Sequence, residues 1–195
     1  MPRNKKMDRD DLLSKATAVI RKNGYRETSL DELAKEFHFT KPALYYYVDS
    51  KEALLYEIYE KTIREWLARI RRIASDKIRN PEEKIREVVR QFMHLCVEHD
   101  EMAIFFEEKS YLADEHFQAI SAKEREVIEI IAGIIEEGIA LGVMKPVPPK
   151  VVAYGLVGMT AWSYRWVSLE GPLTIDSLAD TYYEVVIGGL LQQGL

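Results

Sequence analysis

Residues 30–54 read LDELAKEFHFTKPALYYYVDSKEAL, and this stretch decides the fold of the N-terminal part of the chain. Its apolar spacing predicts two short helices separated by a tight turn at His38 and Phe39. Thr40 is a suitable N-cap for the second helix, which tolerates Pro42 in its first turn. Two short helices joined in this way can place the second one in a DNA major groove, which is about 12 Å wide.

The second of these helices has an unusual distribution of aromatic side chains. Its inward positions are apolar and hold Ala43, Leu44 and Val48, whereas its outward positions hold Lys41, Pro42, Tyr45 and Tyr46. The alternative, a tyrosine-rich helix buried in a core, conflicts with three consecutive tyrosines, which cannot all face one side. Tyrosine hydroxyls and a lysine amine donate to phosphates and base edges, and ring edges contact thymine methyl groups. The segment therefore predicts a DNA-reading helix.

Helical periodicity extends over nearly the whole chain, and alternating strand patterns are absent from the sequence. We expect Thr28 with Asp31 to cap the first helix of the pair, and Asp49 with Glu52 to cap the long helix that follows. An all-α fold follows from this pattern. The remaining predicted helices begin at Asn80-Pro81, after His99-Asp100, at about Asp114, at Pro149 (running to about Val167) and after Thr174 (reaching Leu191).

The composition limits the class of protein. The chain has 195 residues, of which 47% are hydrophobic, and this suits one full core or a small domain beside a larger one. Its apolar runs are shorter than the roughly 20 residues that span a bilayer, and its basic N-terminus lacks the apolar stretch of a secretory signal. The single cysteine excludes an internal disulfide framework. We expect a soluble protein of a reducing cytoplasm, with no membrane partner.

The net charge of −5 is distributed unevenly along the chain. Residues 1–51 carry 11 Lys and Arg against 8 Asp and Glu, whereas residues 52–195 carry 16 against 24. A positively charged N-terminal part can meet phosphate groups, while DNA repels the acidic remainder. Because solvated helix faces often carry such an imbalance, the charge pattern supports nucleic-acid binding without establishing it.

Four short motifs occur near the N-terminus, namely Thr28-Ser29-Leu30, Leu33-Ala34, the run from Thr40 to Val48, and Ser50-Lys51-Glu52-Ala53-Leu54. Together they resemble the signature of the TetR family of transcriptional regulators. The resemblance covers about residues 8–55 closely, and the later helices suit the variable C-terminal part of that family. It implies a three-helix helix-turn-helix domain over residues 1–50, with the motif at about 31–50, and a larger effector-binding and dimerisation domain over residues 51–195.

The resemblance also implies a role for individual residues in binding an operator, which is double-stranded DNA. His38 departs from the family pattern, because it occupies the turn position that usually holds glycine. Histidine is among the few other residues tolerated at positive φ, so we expect a slightly strained but intact turn. The resemblance implies phosphate contacts by Thr28, Tyr45, Tyr47 and Lys51, and it includes Ser29 in the same DNA-binding set. It implies base-edge contacts by Thr40, Lys41, Pro42 and Tyr46.

The last two predicted helices contain glycines at interior positions, namely Gly155, Gly158, Gly188 and Gly189. Each costs roughly 1 kcal/mol relative to alanine in a helix interior, and close packing between helices explains such a cost. The helix from Val151 to Trp162 offers little polar surface, so we expect it to be buried on two sides. As in the family, we expect a four-helix homodimer interface, which matches a palindromic operator. Alternatively, both helices line the core of one subunit.

The C-terminal part also holds residues suited to a small-molecule cavity. The segment from Trp162 to Trp166, followed by Glu-Gly-Pro-Leu, resembles a TetR subgroup that represses fatty-acid or related lipid catabolism and is released by acyl-CoA thioesters. Arg165 would then face the thioester or phosphate end of a long-chain acyl-CoA. A drug or other small metabolite is the alternative effector. The residues assigned to the ligand are Phe92, Met93, Cys96, Phe105, Phe106, Tyr111, Trp162, Arg165 and Trp166, with Phe117 in the same aromatic set.

A metal-binding helical enzyme is the alternative from another class. His94, His99 and His116, together with nearby carboxylates, are residue types that bind metals or transfer protons. However, His94 and His99 are five residues apart, which is out of helical register, and no known metal or nucleophile motif occurs. We therefore expect no enzymatic activity and no cofactor besides the effector. Cys96 suits either a redox switch or an inert buried thiol.

Overall fold

The computed structural model describes residues 8–168 and 170–190, and within these ranges the chain is all-α, as the sequence predicts. Short 3₁₀ helices cover Lys109–Tyr111 and Trp162–Arg165. The α-helices of the described residues are α1 (Arg9–Asn23), α2 (Leu30–Glu36), α3 (Lys41–Tyr45), α4 (Lys51–Ala74), α5 (Pro81–Glu98), α6 (Asp100–Glu107), α7 (Asp114–Ala140), α8 (Pro149–Ala161) and α9 (Ile175–Leu190).

The first three helices enclose a small core together with the start of α4. α2 and α3 pack against each other, and the turn between them passes through His38 at a φ of 55°. Among the described residues, His38 is the only one other than glycine with positive φ, which confirms the expected turn. The apolar side chains of α1 to α3 that are 1% exposed or less are Leu12, Ala16, Ile20, Leu33 and Leu44, and Leu54 and Leu55 of α4 are buried to the same degree.

Two helix starts differ from the sequence prediction. α2 is capped by Ser29, whose hydroxyl accepts a hydrogen bond from the third residue of the helix at 3.2 Å, and not by Thr28 with Asp31. α4 is capped by Ser50, whose hydroxyl accepts at 2.9 Å, and not by Asp49. In both cases the serine has the extended backbone conformation that an N-cap requires.

Other predicted helix ends agree more closely with the structure. Thr40 caps α3, and Asn80 forms a capping box with Glu83 in which both hydrogen bonds are 2.9 Å long. The hydroxyl of Thr174 accepts a hydrogen bond at 3.1 Å in the first turn of α9. The predicted end of this helix at Leu191 lies outside the described residues. α8 ends at Ala161, earlier than predicted, because the chain there tightens into a 3₁₀ helix.

α4 joins the N-terminal helices to the larger C-terminal group. Its N-terminal part contacts α1, while its buried face, which includes Ile58, Trp66 and Ile70, packs mainly against α7. α5 packs against α7, α8 and α9, and α8 packs against α7. Within residues 8–168 and 170–190, no helix combines the length and the hydrophobicity that spanning a bilayer requires.

The last two helices bury only one side within a single chain. The inner side of α8 holds Ala153, Leu156 and Thr160, and that of α9 holds Leu178, Tyr183 and Ile187. On the outer sides, Val151 is 68% exposed, Trp162 58% and Val185 64%. The prediction that α8 is buried on two sides is therefore not met within one chain. The alternative prediction, that both helices line the core of one subunit, accounts only for their inner faces.

Candidate DNA-binding surface and effector cavity

The outer face of α3 presents aromatic side chains to solvent. Leu44 and Val48 are buried, and they fix the apolar side of the helix against the core. Tyr46 is 77% exposed, and Tyr45 and Pro42 are also exposed. The predicted base-reading side chains therefore point away from the core, as they must in a helix that enters a DNA groove.

Lys41 lies at the start of this face and has two close neighbours. Its Nζ is 3.0 Å from Oδ2 of Asp31 on α2 and 5.9 Å from the centre of the Tyr45 ring. The hydrogen bond and the charge of Asp31 raise the pKa of Lys41, which further favours the charged form of this amine. Because both members of the ion pair are exposed, the pair adds little stability and the amine is available to DNA.

The residues implied as phosphate contacts have different surroundings. Thr28 is buried, and its hydroxyl donates to the carbonyl of Gly24 at 2.8 Å, so it supports the loop before α2. Ser29 is exposed beside it as the N-cap of α2. Tyr47 is half-buried, with its ring stacked on Phe39 at 5.6 Å between ring centres. Thr28 and Tyr47 thus have structural contacts and are partly or fully buried, whereas Ser29 caps α2 and remains exposed.

Lys51 borders a cleft that gathers several of the predicted DNA-binding residues. Its amine donates to the carbonyls of Tyr25 at 2.8 Å and Arg26 at 3.3 Å, and it lies 4.3 Å from the centre of the Tyr25 ring. The cleft holds three cations and one carboxylate, a charge balance that suits DNA phosphate. Arg26 is not among the residues predicted from the sequence, although a basic residue two positions before Thr28 is a usable signal. The cleft has a volume of about 360 Å³ and is lined by Arg26, Thr28, Ser29, Leu30, Asp31, Lys41, Tyr45 and Lys51.

A cavity of about 400 Å³, partly open to solvent, lies between α4, α5, α6, α7 and α8. Phe92, Phe105 and Phe106, predicted from the sequence to contact a ligand, line it. Trp66 of α4 forms another wall, and its ring stacks on Phe92 at 4.9 Å. An apolar lining with a few polar groups, and a volume between about 300 and 1,000 Å³, are typical of a ligand site. The other lining residues are Thr62, Ile63, Met102, Ser121, Glu124, Arg125, Val127, Ile128, Tyr154 and Val157.

An open groove of about 620 Å³ adjoins this cavity, and Phe106 lines both. Arg165 lies in the groove, with its guanidinium carbon 4.9 Å from the centre of the Trp162 ring. Its Nη2 is 3.7 Å from a carboxylate oxygen of Glu107. Two further predicted ligand residues, Trp162 and Arg165, are thus brought next to the cavity. The remaining lining residues are Gly158, Ala161 and Tyr164.

The other predicted ligand residues line neither space. Met93 and Cys96 are buried in the core, and burial raises the pKa of the Cys96 thiol, which favours the inert thiol over the redox switch. Trp166 is exposed. Tyr111 packs against Tyr25 of the N-terminal part, with 4.9 Å between ring centres.

Two of the three histidines considered for a metal or catalytic site, His94 and His116, lie beside different carboxylates. His94 lies 3.1 Å from Asp176 and 3.2 Å from Glu98. His116 lies 2.8 Å from Glu52 at the start of α4. Within the described part of the chain, no group of three or more His, Cys, Asp or Glu side chains is placed to hold a metal ion.

Two family models match the chain. The model for bacterial regulatory proteins of the tetR family matches residues 12–58, which include the α2–α3 surface. The model for the tetracyclin repressor-like C-terminal domain matches residues 79–190, which include most of the cavity lining. Together these matches extend over both parts of the molecule.

Known proteins resemble the chain over nearly its whole length, and they are transcriptional regulators, not enzymes. The HTH-type transcriptional repressor KstR2 of Mycobacterium tuberculosis is 27% identical over 191 residues, covering 96% of this chain and 94% of that protein. AibR, solved in complex with isovaleryl coenzyme A and operator DNA, is 27% identical with a TM-score of 0.81, covering 91% of this chain and 96% of AibR. A TetR/AcrR family regulator from Thermobifida fusca is 32% identical with a TM-score of 0.76, covering 93% of this chain and 97% of that one. The chain therefore belongs to the TetR family, and it is a DNA-binding transcriptional regulator of the tetracycline-repressor type.

Proposed function

We propose that the protein is an effector-released repressor that binds a palindromic operator as a homodimer, and that its effector is an acyl-CoA thioester. The observation that carries this proposal is the position of α4. Lys51, in the first turn of this helix, borders the phosphate-type cleft, while Thr62, Ile63 and Trp66 further along form one wall of the cavity. A ligand that displaces this wall would move the helix that carries Lys51.

The outer faces of α8 and α9 support the homodimer. They combine exposed apolar side chains, such as Val151 and Val185, with glycines that have no side chain to hinder close approach. Apolar faces of this kind on a soluble domain mark interaction sites. Two helices from each subunit would form a four-helix interface about a two-fold axis.

A two-fold dimer explains why the operator should be palindromic. Each subunit presents one α3, so the two reading helices meet symmetric half-sites that lie about one helical turn or more apart. Effector binding releases DNA if it favours a conformation in which the spacing of the two helices no longer matches those half-sites. We place this activity in the bacterial cytoplasm, where chromosomal operators are found.

The cavity and groove together suit an acyl-CoA. The apolar cavity would take the acyl chain, and the groove would take the more polar thioester and pantetheine end near Arg165. A complete CoA is too large for a cavity of about 400 Å³, so its nucleotide end would remain outside. The structure of AibR with isovaleryl coenzyme A supports a thioester of this class for a related regulator.

A release assay tests the proposal. Fluorescence anisotropy would follow a labelled duplex from upstream of the protein's own gene while acyl-CoAs of increasing chain length are added. We expect micromolar acyl-CoA of the preferred length, a long chain in our proposal, to release the duplex, and the duplex to weaken acyl-CoA binding by the same factor. Arg165→Ala should require about tenfold more acyl-CoA while its DNA affinity is unchanged, because a charge-assisted contact is lost.

Arg72→Ala is the matched control, since Arg72 is an exposed arginine on α4 that lines neither the cavity nor the groove. It should respond to acyl-CoA as the unmodified protein does. If acyl-CoAs of every chain length leave the DNA complex intact, the lipid proposal is wrong, and a drug or another small metabolite becomes the effector to test. If the upstream duplex and genomic fragments are not bound at all, the operator proposal is wrong as well.

A further inference from the structure

Tyr111 connects the C-terminal part of the chain to the cleft on the DNA-binding side. It ends the 3₁₀ helix after α6, and its ring lies 4.9 Å from that of Tyr25, with 40° between the ring planes. Tyr25 is only 5% exposed, so this contact belongs to a buried junction. The guanidinium carbon of Arg26 lies 5.8 Å from the centre of the Tyr111 ring. A single ring therefore contacts two consecutive residues of the loop between α1 and α2.

Lys51 holds the same two residues from the first turn of α4. Its amine donates to the carbonyls of Tyr25 and Arg26 and lies over the Tyr25 ring. Two of the three N–H donors of the amine are used in these contacts, so the conformation of this loop determines where the charge of Lys51 lies. Any contact that fixes Tyr25 therefore also fixes Lys51.

Arg26 is an exposed cation of the cleft without a carboxylate partner among the described residues. Lys41, in the same cleft, is already paired with Asp31. A phosphate that enters the cleft would therefore meet one guanidinium that no carboxylate neutralises. Guanidinium groups suit this role because they present several N–H donors to phosphate oxygens.

We propose that Arg26 and Lys51 bind a DNA phosphate together, and that Tyr111 is the positioning residue for both. The cation–π contact restricts the Arg26 side chain before DNA arrives, which lowers the entropy lost on binding. The stack on Tyr25 fixes the carbonyls that hold Lys51. This role concerns DNA binding in the absence of effector, so it stands apart from the acyl-CoA proposal.

Binding of the full-length protein to a mixed-sequence duplex, measured by fluorescence anisotropy at several salt concentrations, tests this role. We expect Arg26→Ala and Tyr111→Ala each to weaken binding about three- to tenfold and to lower the slope of log K against log salt by up to about 0.9. Tyr111→Phe keeps the ring and should bind as the unmodified protein does. Tyr111→Leu keeps apolar packing but lacks the π face, so it should bind weakly even if the alanine variant fails to fold.

Phe117→Ala is the matched control. Phe117 is an exposed aromatic residue that also lies under a cation, with Nζ of Lys109 4.7 Å from its ring centre. It lines neither the cavity nor the groove, and its ring has no ring or cation–π contact with Tyr25 or Arg26. Its replacement should leave affinity and salt slope unchanged. In the double variant Arg26→Ala/Tyr111→Ala, DNA affinity should fall by less than the product of the two single-variant factors, because both substitutions disrupt the same contact. The proposal would be overturned by any of three results. The first is an unchanged DNA affinity of Tyr111→Leu, the second is weaker binding by the Arg26 or Tyr111 variants without a lower salt slope, and the third is weakened binding by Tyr111→Phe.

Discussion

Replacing Gly158 with leucine tests the dimer interface proposed for α8 and α9. Within one chain, a Cβ built at Gly158 meets no other atom within 4 Å, and the same holds at Gly189. The new side chain would project into open space in an isolated subunit. Removal of a helical glycine should even stabilise that subunit by up to about 1 kcal/mol. In the proposed dimer, however, helices of the partner subunit pack against this face, which at Gly158 also borders the groove.

The expected effect follows from overpacking of that interface. A large side chain inserted into a well-packed contact costs about 1–3 kcal/mol. Because a two-fold interface carries the substitution on both subunits, the cost doubles to about 2–6 kcal/mol. The dissociation constant of the dimer should therefore rise about 30-fold or more.

Sedimentation equilibrium over a dilution series measures this constant. We expect the unmodified protein to remain a dimer at micromolar concentration, and Gly158→Leu and Gly189→Leu to dissociate. Gly133→Leu is the control, because Gly133 is an exposed glycine of α7 where an added Cβ likewise meets no atom within 4 Å, and it lies outside the α8–α9 face. Unaltered dimers in both test variants, or an unmodified monomer that binds a palindromic duplex, would refute the interface.

Two further predictions concern DNA reading and acid stability. Lys41→Ala and Tyr46→Ala should each weaken binding to a mapped operator by roughly 1–3 kcal/mol and relax the preference for particular bases. Lys51→Ala should instead weaken binding to all duplexes alike. DNA titrations in which all three variants bind as the unmodified protein does would contradict the placement of α3. The hydrogen bond from His94 helps to lower the pKa of Asp176 below its ordinary 3.8. The ionised Asp176 side chain therefore stabilises the fold at pH values above 3.8, and this stabilisation is lost as the pH falls through the lowered pKa of Asp176. Asp176→Asn should therefore flatten the fall in Tm below about pH 4, and a Tm–pH curve equal to that of the unmodified protein would contradict this.

Much of the fold was readable from the sequence because the interactions that specify it are local. The capping box of Asn80 and Glu83 spans only a few residues, and the turn at His38 depends on the conformation of one residue. Local reasoning failed where two neighbours were both suitable caps. Thr28 and Ser29 are both good N-cap types, and only the backbone conformation reached in the fold decides between them.

The candidate site divides in the same way. Exposed tyrosines on α3 could be predicted because three consecutive residues must point in different directions around a helix. The cavity could not be delimited, because periodicity identifies inward-facing side chains but not those that border an unfilled space. Phe92 and Met93 are adjacent and both buried, yet only Phe92 lines the cavity.

Sequence alone therefore sufficed for the all-α class, the helix-turn-helix and its outward reading face, since helical periodicity, caps and turn residues act over a few positions. Only the packing of the helices determines the limits of the cavity, the open outer faces of α8 and α9, and the position of Tyr111, which contacts Tyr25 and does not line the cavity. Each of these depends on how helices from distant parts of the chain pack, and no local pattern specifies which buried faces meet.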